Sequence, residues 1–572
     1  MDPTSIYGDS PLHTAVRLGR VEEVRKILDQ QNVDVNCQNS KYETPLQLAC
    51  ALRHNAIIQL LIAFGADVFV RHSVSKPASG FGVVDLMNRL IHCDELWLKG
   101  PTSTDGDTPL HVTVRLGQLE KIQEMLKQQG VNINSLNSNH ETPLHLACAL
   151  GRKDIVHILM SKGADMYIRD CYNNAPTHRA VFQGYVGIVE YLITEYACDS
   201  MIRGYQTRTL LHYACGMGNI ELLTTLTHRY GISPVANDSA NMSPLHIAAL
   251  YGQKELVNLL ITKYNCPVDC GNNINQTPLH LACYRGHLCV VKILVSEHKA
   301  DLNVHTSDDQ KSIPLNLAAL GGHKDVVQSL ITEFGCSPNV KGFKSRTILY
   351  DACYGGNIEL VKILITDFNL DPLSIDDDRN TPLHIAAFCG HGSIIQTLIV
   401  EFNCIPLAKG FKGRTILHSA CSGGHLDLAK RLITHFNLDP LSVDDDGNTP
   451  LHIAALHGHA DIVRSLVTEF KCAPNVKGFN GKTILHSSCK KGDIDLVKML
   501  ITEFDLDPLS VDCNGNSPLH TAVMYGHMDI VRTLITEFGS NPNATDFNGR
   551  SCLLYTSPSP RDATLSRMPS SA

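Results

Sequence analysis

No run of apolar residues in this sequence is long enough to cross a lipid bilayer. The first residues contain neither the basic segment nor the apolar core that a secretory signal needs. Basic residues are not in excess either, since 49 lysines and arginines stand against 57 aspartates and glutamates. We therefore expect a chain with no membrane segment in the given sequence and with no nucleic-acid partner.

The motifs that mark many enzymes are also missing. The sequence has no phosphate-binding G-x-x-x-x-G-K-[ST] loop, no H-E-x-x-H metal motif, no G-x-S-x-G nucleophile elbow and no kinase signature. Cysteine is plentiful, with 20 residues, but no C-x-x-C pair occurs. Without a secretion signal we expect reduced thiols and a cytoplasmic location. The sequence predicts no enzyme, no cofactor and no metal site.

What the chain has in abundance is one repeated segment. TPLHIAALHGHADIVRSLVTEF, which begins at Thr449, recurs in similar form from Thr381 and from Ser517. We call the first residue of each T-P-L-H-like tetrad an anchor, and most anchors are 34 residues apart, as Thr415 and Thr449 are. This period is typical of a solenoid, in which stacked units share one core. The anchors are Ser10, Thr44, Thr108, Thr142, Ala175, Thr209, Ser243, Thr277, Ile313, Thr347, Thr381, Thr415, Thr449, Thr483 and Ser517.

Local signals predict two helices in each unit. Thr449 can cap the first helix, Pro450 suits its first position, and Gly458 can end it. The apolar residues of the segment 462–467 have the i, i+3, i+4 spacing of a second helix. One such unit cannot bury both of its faces, so we expect the units to stack.

The consensus T-P-L-H-x-A-A-x-x-G-H-x-x-I-V-x-x-L-I resembles the ankyrin repeat, over about residues 8 to 551 with one gap. The resemblance implies an all-α solenoid of stacked helix-turn-helix units with short hairpin-like loops. Residues 1–70 then hold two repeats, and residues 108–551 an array of about thirteen. Residues 71–107 break the pattern, either as a degenerate repeat, which we favour, or as a functional insertion.

The resemblance also implies a scaffold that binds other proteins through its loop tips and its concave inner-helix face. Family positions that usually face outward give two sets of candidate residues. The set just before the anchors is Tyr205, Phe343, Lys344, Arg346, Phe411, Lys412, Arg414 and Phe479. The set seven and eight residues after the anchors is Phe182, Tyr251, Tyr284, Arg285, Tyr354, Phe388, His457, Lys490, Lys491 and Tyr525. Aromatic and arginine side chains are frequent interface hot spots, although each ring could instead pack against its neighbouring loop.

From about residue 175 the units alternate, because acidic loops such as VDDDGNTPLH take turns with basic loops such as AKGFKGRTILH. The alternation could make a charged docking edge, or it could reflect attraction between neighbouring loops or duplication of a two-repeat block. Cysteines recur in pairs 17 residues apart, such as Cys404 and Cys421. They could form a disulfide ladder, but we expect buried thiols. Histidines recur three residues after most anchors, and we expect them to bond loop backbone rather than a metal.

The last residues differ from everything before them. Residues 552–572 are predicted to be translated sequencing-adapter DNA, so that the native coding sequence is cut within a repeat at about Ser551. Three classes of function then stay open. The chain could be a cytoplasmic scaffold or adaptor, the cytosolic amino-terminal region of a truncated ankyrin-bearing membrane channel, or the targeting region of a truncated kinase or ubiquitin-ligase subunit.

Overall fold

The computed structural model of the chain describes residues 106–551 except 129 and 309. Nearer the amino terminus it describes residues 10–17, 19–29, 33–37, 44–51, 54, 57–58, 60–61, 64 and 66. The described residues fall into two compact units. The first contains those up to Ala318 together with Asp325–Cys336, and the second contains Ala319–Lys324 together with those from Ser337 onward. The predicted irregular segment 71–107, except for its last two residues, and the predicted adapter tail 552–572 lie outside the described residues.

Each described repeat contains a helix that follows the anchor, called the inner helix, and fourteen of the fifteen have a second, outer helix whose bounds the structure describes. The inner helices are Pro11–Arg17, Pro45–Ala51, Pro109–Leu116, Pro143–Ala149, Pro176–Phe182, Leu210–Gly216, Pro244–Leu250, Pro278–Arg285, Pro314–Leu320, Ile348–Gly355, Pro382–Cys389, Ile416–Gly423, Pro450–His457, Ile484–Lys491 and Pro518–Met524. The outer helices are Val21–Leu28, Leu119–Met125, Lys153–Ser161, Val186–Glu195, Ile220–His228, Lys254–Thr262, Leu288–Lys292, Lys324–Thr332, Ile358–Thr366, Gly392–Val400, Leu426–Thr434, Ala460–Thr468, Ile494–Thr502 and Met528–Thr536. A π-helical turn, Ile293–Glu297, continues one of them.

The T-P-L-H tetrad is a helix start, as its sequence predicts. Thr449 caps the inner helix and Pro450 occupies its first turn. The third residue of that helix, His452, closes a capping box in the place where glutamate or glutamine is usual. Gly458 ends the helix with a φ of 82°, which favours glycine.

The core is made by stacking, because the inner helices are too small to shield themselves. Leu451, Ile453 and Ala454 of one inner helix are all buried, as are Ile462 and Leu466 of its outer helix. Alanine is common along the inner helices, which lets successive helices approach closely. In the part of the chain that the structure describes, the backbone forms helices, turns and two isolated bridges but no strand. The predicted all-α solenoid of paired helices with short loops is confirmed.

The loop between one repeat's outer helix and the next anchor, called the hairpin, is closed by a buried acidic side chain. The Oδ1 atom of Asp376 accepts hydrogen bonds from the backbone N–H groups of Asp378 and Asn380. Successive hairpins are also joined through the backbone, since the N–H of Asp377 donates to the carbonyl oxygen of Lys344 at 2.9 Å. The hairpin tips therefore stand in a regular row within each unit.

Candidate protein-binding surface

Four predicted aromatic residues occupy equivalent places at hairpin tips, and we call them the aromatic tips: Tyr205, Phe343, Phe411 and Phe479. Phe411 and Phe479 are 42% and 46% exposed, whereas Phe343 is half-buried and Tyr205 is only 3% exposed. The residue after each ring has a positive φ, such as 53° at Lys412, which turns the chain back toward its anchor. In the second unit the tips thus present aromatic rings to solvent at every second repeat.

The basic residues beside the tips are engaged with the next hairpin. The Nζ of Lys412 lies 2.6 Å from Asp446, and the Nε of Arg414 lies 3.2 Å from Asp444. Lys344 pairs in the same way with Asp378. Equivalent pairs join Arg346 to Asp376 at 2.8 Å and Arg208 to Asp238 at 3.2 Å. Attraction between neighbouring loops, one of the three interpretations of the alternating charge, therefore occurs in the structure, and these cations are partly neutralised.

Cations also lie over the tip rings. The Nζ of Lys412 and the guanidinium carbon of Arg414 are each 5.9 Å from the centre of the Phe411 ring. Lys344 and Arg346 lie over Phe343 at 5.1 and 5.8 Å. Each of these two rings therefore has two cations within 6 Å of its centre, at a distance at which a cation is attracted to an aromatic face.

The second predicted set, at the carboxyl ends of the inner helices, is only partly accessible. Phe182 and Tyr284 are buried, contrary to the expectation that they face outward. Half-buried positions are Tyr251, Arg285, Tyr354, Phe388 and His457. Lys490, Lys491 and Tyr525 are exposed, and the Nζ of Lys490 lies 5.3 Å from the centre of the Tyr525 ring. Phe182 lies beside Arg208 and Tyr213 of the following repeat, a neighbour that the sequence spacing does not reveal.

A depression with an empty volume of about 230 Å³ lies on the inner helices of the first unit. Its lining residues are Phe182, Arg208, His212, Tyr213, Gly216, Met217, Ile247 and Tyr251. The walls are mostly apolar, and Met217 at its edge is exposed.

The histidines of the tetrads bond backbone, as predicted. In His145, Nδ1 accepts the N–H of Thr142 at 3.1 Å, and Nε2 donates to the carbonyl oxygen of Asn174 at 3.0 Å. His418 repeats this geometry with Thr415 and Asn448. Among the described residues no group of three potential ligands could hold a metal ion. Each of these rings thus joins an anchor to the hairpin that follows it.

The inner-helix cysteines are free thiols in the core. Cys215, Cys283 and Cys421 are fully buried, and burial raises the pKa of each thiol. The partner that interacts electrostatically with Cys215 is Cys266 of the following repeat, not the cysteine 17 residues before it. Spacing along the chain therefore does not identify the neighbouring sulfur atoms.

We expect native-state alkylation to separate two classes of cysteine. Iodoacetamide at neutral pH should modify Cys289 and Cys513 rapidly, because both are exposed. Cys283 and Cys421 should react only after denaturation, since the thiolate is the nucleophile and burial raises their pKa. Mass spectrometry of alkylated peptides measures the two rates. Equal rates at buried and exposed positions would contradict the structure.

A second set of repeating histidines, outside the tetrads, was not anticipated from the sequence. The Nε2 of His425 donates to the carbonyl oxygen of Phe388 at 2.9 Å, and His459 bonds Ser422 at 3.1 Å. Further members are His287, His391 and His527, which bond Leu250, Tyr354 and Lys490. Each ring satisfies a carbonyl at the end of the preceding inner helix. The recurring G-H dipeptide was the available signal.

A buried ionic network in the first unit was also missed. Arg179 lies 2.7 Å from Asp170 and 3.1 Å from Glu141, and the side chains of all three are at most 9% exposed. Asn137 extends the network by donating to Glu141 at 3.2 Å and to Asp107 at 3.1 Å. The sequence feature that could have indicated this network is an arginine four residues after an anchor, where other repeats carry smaller side chains. The network therefore connects successive hairpins.

Comparisons with known proteins agree with this architecture. The family model described as ankyrin repeats (3 copies) matches residues 1–72, 77–170, 211–308, 245–342, 315–409, 400–478 and 466–546. Because these matches cover most of the sequence, the chain belongs to the ankyrin repeat family. Ankyrin repeats are generally protein-interaction modules and are typically non-catalytic.

Curated relatives align with only parts of the chain. Rabankyrin-5 of Mus musculus is 29% identical over 162 residues, which are 27% of this chain and 14% of that protein. Alpha-latrotoxin-Lg1a of Latrodectus geometricus is 29% identical over 192 residues, covering 32% of this chain and 14% of the toxin. The putative ankyrin repeat protein FPV223 of Fowlpox virus is 29% identical over 142 residues, covering 24% of this chain and 97% of that protein. The chain thus spans about a seventh of the first two relatives.

Within the described ranges, every helix is too short or too polar to be a candidate for crossing a bilayer.

Proposed function

We propose that the chain is a non-catalytic scaffold or adaptor in the cytoplasm that binds other proteins through the hairpin tips and inner helices of its second unit. The observation that supports this most directly is the exposure of Phe411 and Phe479, 42% and 46%, at equivalent tips. Their recurrence has little value for folding, because a ring exposed at a tip contributes little buried apolar area.

The row between the rings is acidic, which specifies the kind of partner. Asp377 and Asp445 occupy the tip positions between the aromatic tips, and both are exposed. In order, the row therefore reads Phe343, Asp377, Phe411, Asp445 and Phe479. With about 10 Å between successive repeats, an extended partner segment would place apolar and basic groups alternately. Apolar contact would supply affinity, and the charges would set register and association rate.

The triple variant Phe343→Ala, Phe411→Ala and Phe479→Ala tests this proposal. We expect unchanged helical circular dichroism and an unchanged melting temperature, but at least tenfold weaker partner binding, because burying one phenylalanine can contribute about 1.5–3 kcal/mol. Partners are captured from a cell extract with the wild-type chain, identified by mass spectrometry, and titrated against both proteins.

A matched control keeps the tips and removes other exposed apolar groups. Leu407 lies in the hairpin of Phe411, whereas Leu441 and Leu509 lie in the acidic hairpins of the same unit. All three are away from the tips and are more exposed than Phe411 and Phe479. Replacing these three by alanine should leave partner binding nearly unchanged. An equal loss of partner binding in both triple variants would indicate non-specific hydrophobic binding. A large fall in the melting temperature of the phenylalanine variant would show that the rings stabilise the fold.

A further inference from the structure

Tyr205 differs from the other aromatic tips in a way that its own hairpin does not explain. Its ring is 3% exposed, whereas the equivalent Phe411 and Phe479 rings are 42% and 46% exposed. The local contacts are alike. The N–H of Tyr205 donates to Asn174 at 3.1 Å, and the N–H of Phe411 donates to Asn380 at 3.0 Å. Something outside the hairpin must cover Tyr205.

Arginine contacts do not supply the difference either. The guanidinium of Arg208 lies 5.6 Å from the Tyr205 ring centre, and that of Arg414 lies 5.9 Å from the Phe411 ring centre. Both tips therefore have an arginine over the ring and an equivalent backbone hydrogen bond. Only one of them is hidden from solvent.

The covering residues come from the amino-terminal repeats of the same chain. Tyr205 belongs to the buried apolar cluster whose other members lie between Leu12 and Ala66. This cluster includes Val24 and Leu28 of the outer helix Val21–Leu28. Tyr172, in the preceding hairpin, also packs against it. Two successive tips thus contact residues that precede them by more than a hundred positions in sequence.

Charged groups extend the contact to a third hairpin. Burial lowers the pKa of His140, and the nearby charge of Arg25 lowers it further. Arg25 also acts on Cys171, beside Tyr172. Arg25 is half-buried, and its Nε atom is shielded from solvent with no hydrogen-bond partner among the described residues. The helix Val21–Leu28 therefore faces the tips of three successive repeats, at His140, Tyr172 and Tyr205.

We propose that the two amino-terminal repeats are an internal ligand of the tip row, docked across the hairpins of His140, Tyr172 and Tyr205. Because residues 67–105 join this segment covalently to the array, the contact is intramolecular and needs no second molecule. A contact of modest strength then suffices to keep the tips at His140, Tyr172 and Tyr205 covered. The exposed tips at Phe411 and Phe479 remain available to other proteins. This inference concerns a contact within the chain and does not depend on the identity of any partner.

Hydrogen exchange of the full chain tests the docking. The variant Tyr205→Asp places a charge in the apolar contact, and we expect amides of Pro11–Arg17 and Val21–Leu28 to exchange at least about tenfold faster. The matched variant Phe411→Asp changes an equivalent but exposed tip and should leave the exchange of both helices unchanged. Unchanged exchange of the two helices in Tyr205→Asp would overturn the proposal.

A second variant covers the case in which Tyr205→Asp disturbs its own repeat, seen as lost protection in Leu210–Gly216. Arg25→Glu alters the docked helix instead, with the exposed Lys26→Glu as its control. Faster exchange at the amides of Cys171 and Tyr205 in Arg25→Glu alone would support docking. No change at these tips, or the same change with Lys26→Glu, would overturn it.

Discussion

Acidification from pH 7 to pH 5 is expected to destabilise the array strongly, well before its carboxylates are protonated. The cause is the histidine at the third position of most inner helices. Burial lowers the pKa of His145, His212 and His246 to about 4 in the folded chain. Burial also lowers the pKa of His280, His418 and His486 to about 4.

The hydrogen bonds explain why these rings stay neutral. Nδ1 of His418 accepts the N–H of Thr415 at 3.2 Å, which leaves Nε2–H to donate to Asn448 at 3.1 Å. Protonating Nδ1 would replace that acceptor with a donor that faces another donor. Burial adds the cost of removing the charge from water.

The direction of the effect follows from proton binding. The folded pKa of about 4 is below the ordinary value of 6.5, so between these values the unfolded chain binds more protons. The contribution of these histidines to the free energy of unfolding is fully present above about pH 6.5. It falls as the pH is lowered and stops falling near pH 4. The full difference corresponds to about 3 kcal/mol for each histidine, and to about 2 kcal/mol at pH 5.

Urea unfolding followed by circular dichroism at pH 7.5, 6, 5 and 4.5 measures this dependence. Asparagine can replace the histidine at this position, because Asn316 is the third residue of another inner helix. Its side-chain oxygen accepts the N–H of Ile313 at 3.2 Å. His418→Asn should therefore cost about 1–2 kcal/mol at pH 7.5 and should weaken the response to acid. A urea midpoint that is constant from pH 7.5 to pH 5 would refute the expectation.

The second large effect is expected from Arg179→Ala. Removing this guanidinium leaves Asp170 and Glu141 as uncompensated charges whose side chains are 0% and 2% exposed. Breaking a buried pair by removing one partner typically costs about 3–5 kcal/mol. The loss should appear first in the hairpins around residues 137–174, because Asn137 connects Glu141 to Asp107.

An exposed ion pair supplies the matched control. Lys430, on one outer helix, lies 2.6 Å from Glu469, which directly follows the next outer helix, and their side chains are 35% and 50% exposed. Lys430→Ala should change the free energy of unfolding by about 0–1 kcal/mol. Chemical unfolding of both variants beside the wild type measures the two costs. Similar costs would show that burial does not set the strength of the Arg179 network.

Some features could be predicted because they depend on neighbours in sequence. The capping roles of Thr449 and Gly458 are properties of one helix, and the structure confirms both. The 34-residue spacing of anchors such as Thr415 and Thr449 indicated stacking, since one unit cannot bury its own apolar faces. Backbone bonding by the tetrad histidines was also anticipated.

Other features depended on which residues the stack brings together. Phe411 and Tyr205 occupy equivalent tips and look alike in sequence, yet one is exposed and the other is covered by the amino-terminal repeats. Lys412 was expected at a docking edge, but its ion pair with Asp446 needs the next hairpin in place.

The sequence by itself thus determined the repeat, its two helices, its caps and the residue types at its tips, because these follow from spacing and local backbone chemistry. Only the tertiary structure decided which tips are open, which charges are paired and which sulfur atoms are neighbours. Contacts such as that of Cys215 with Cys266 join different repeats. Their energies come from burial and distance in space, and these quantities are set by the stacking of whole units.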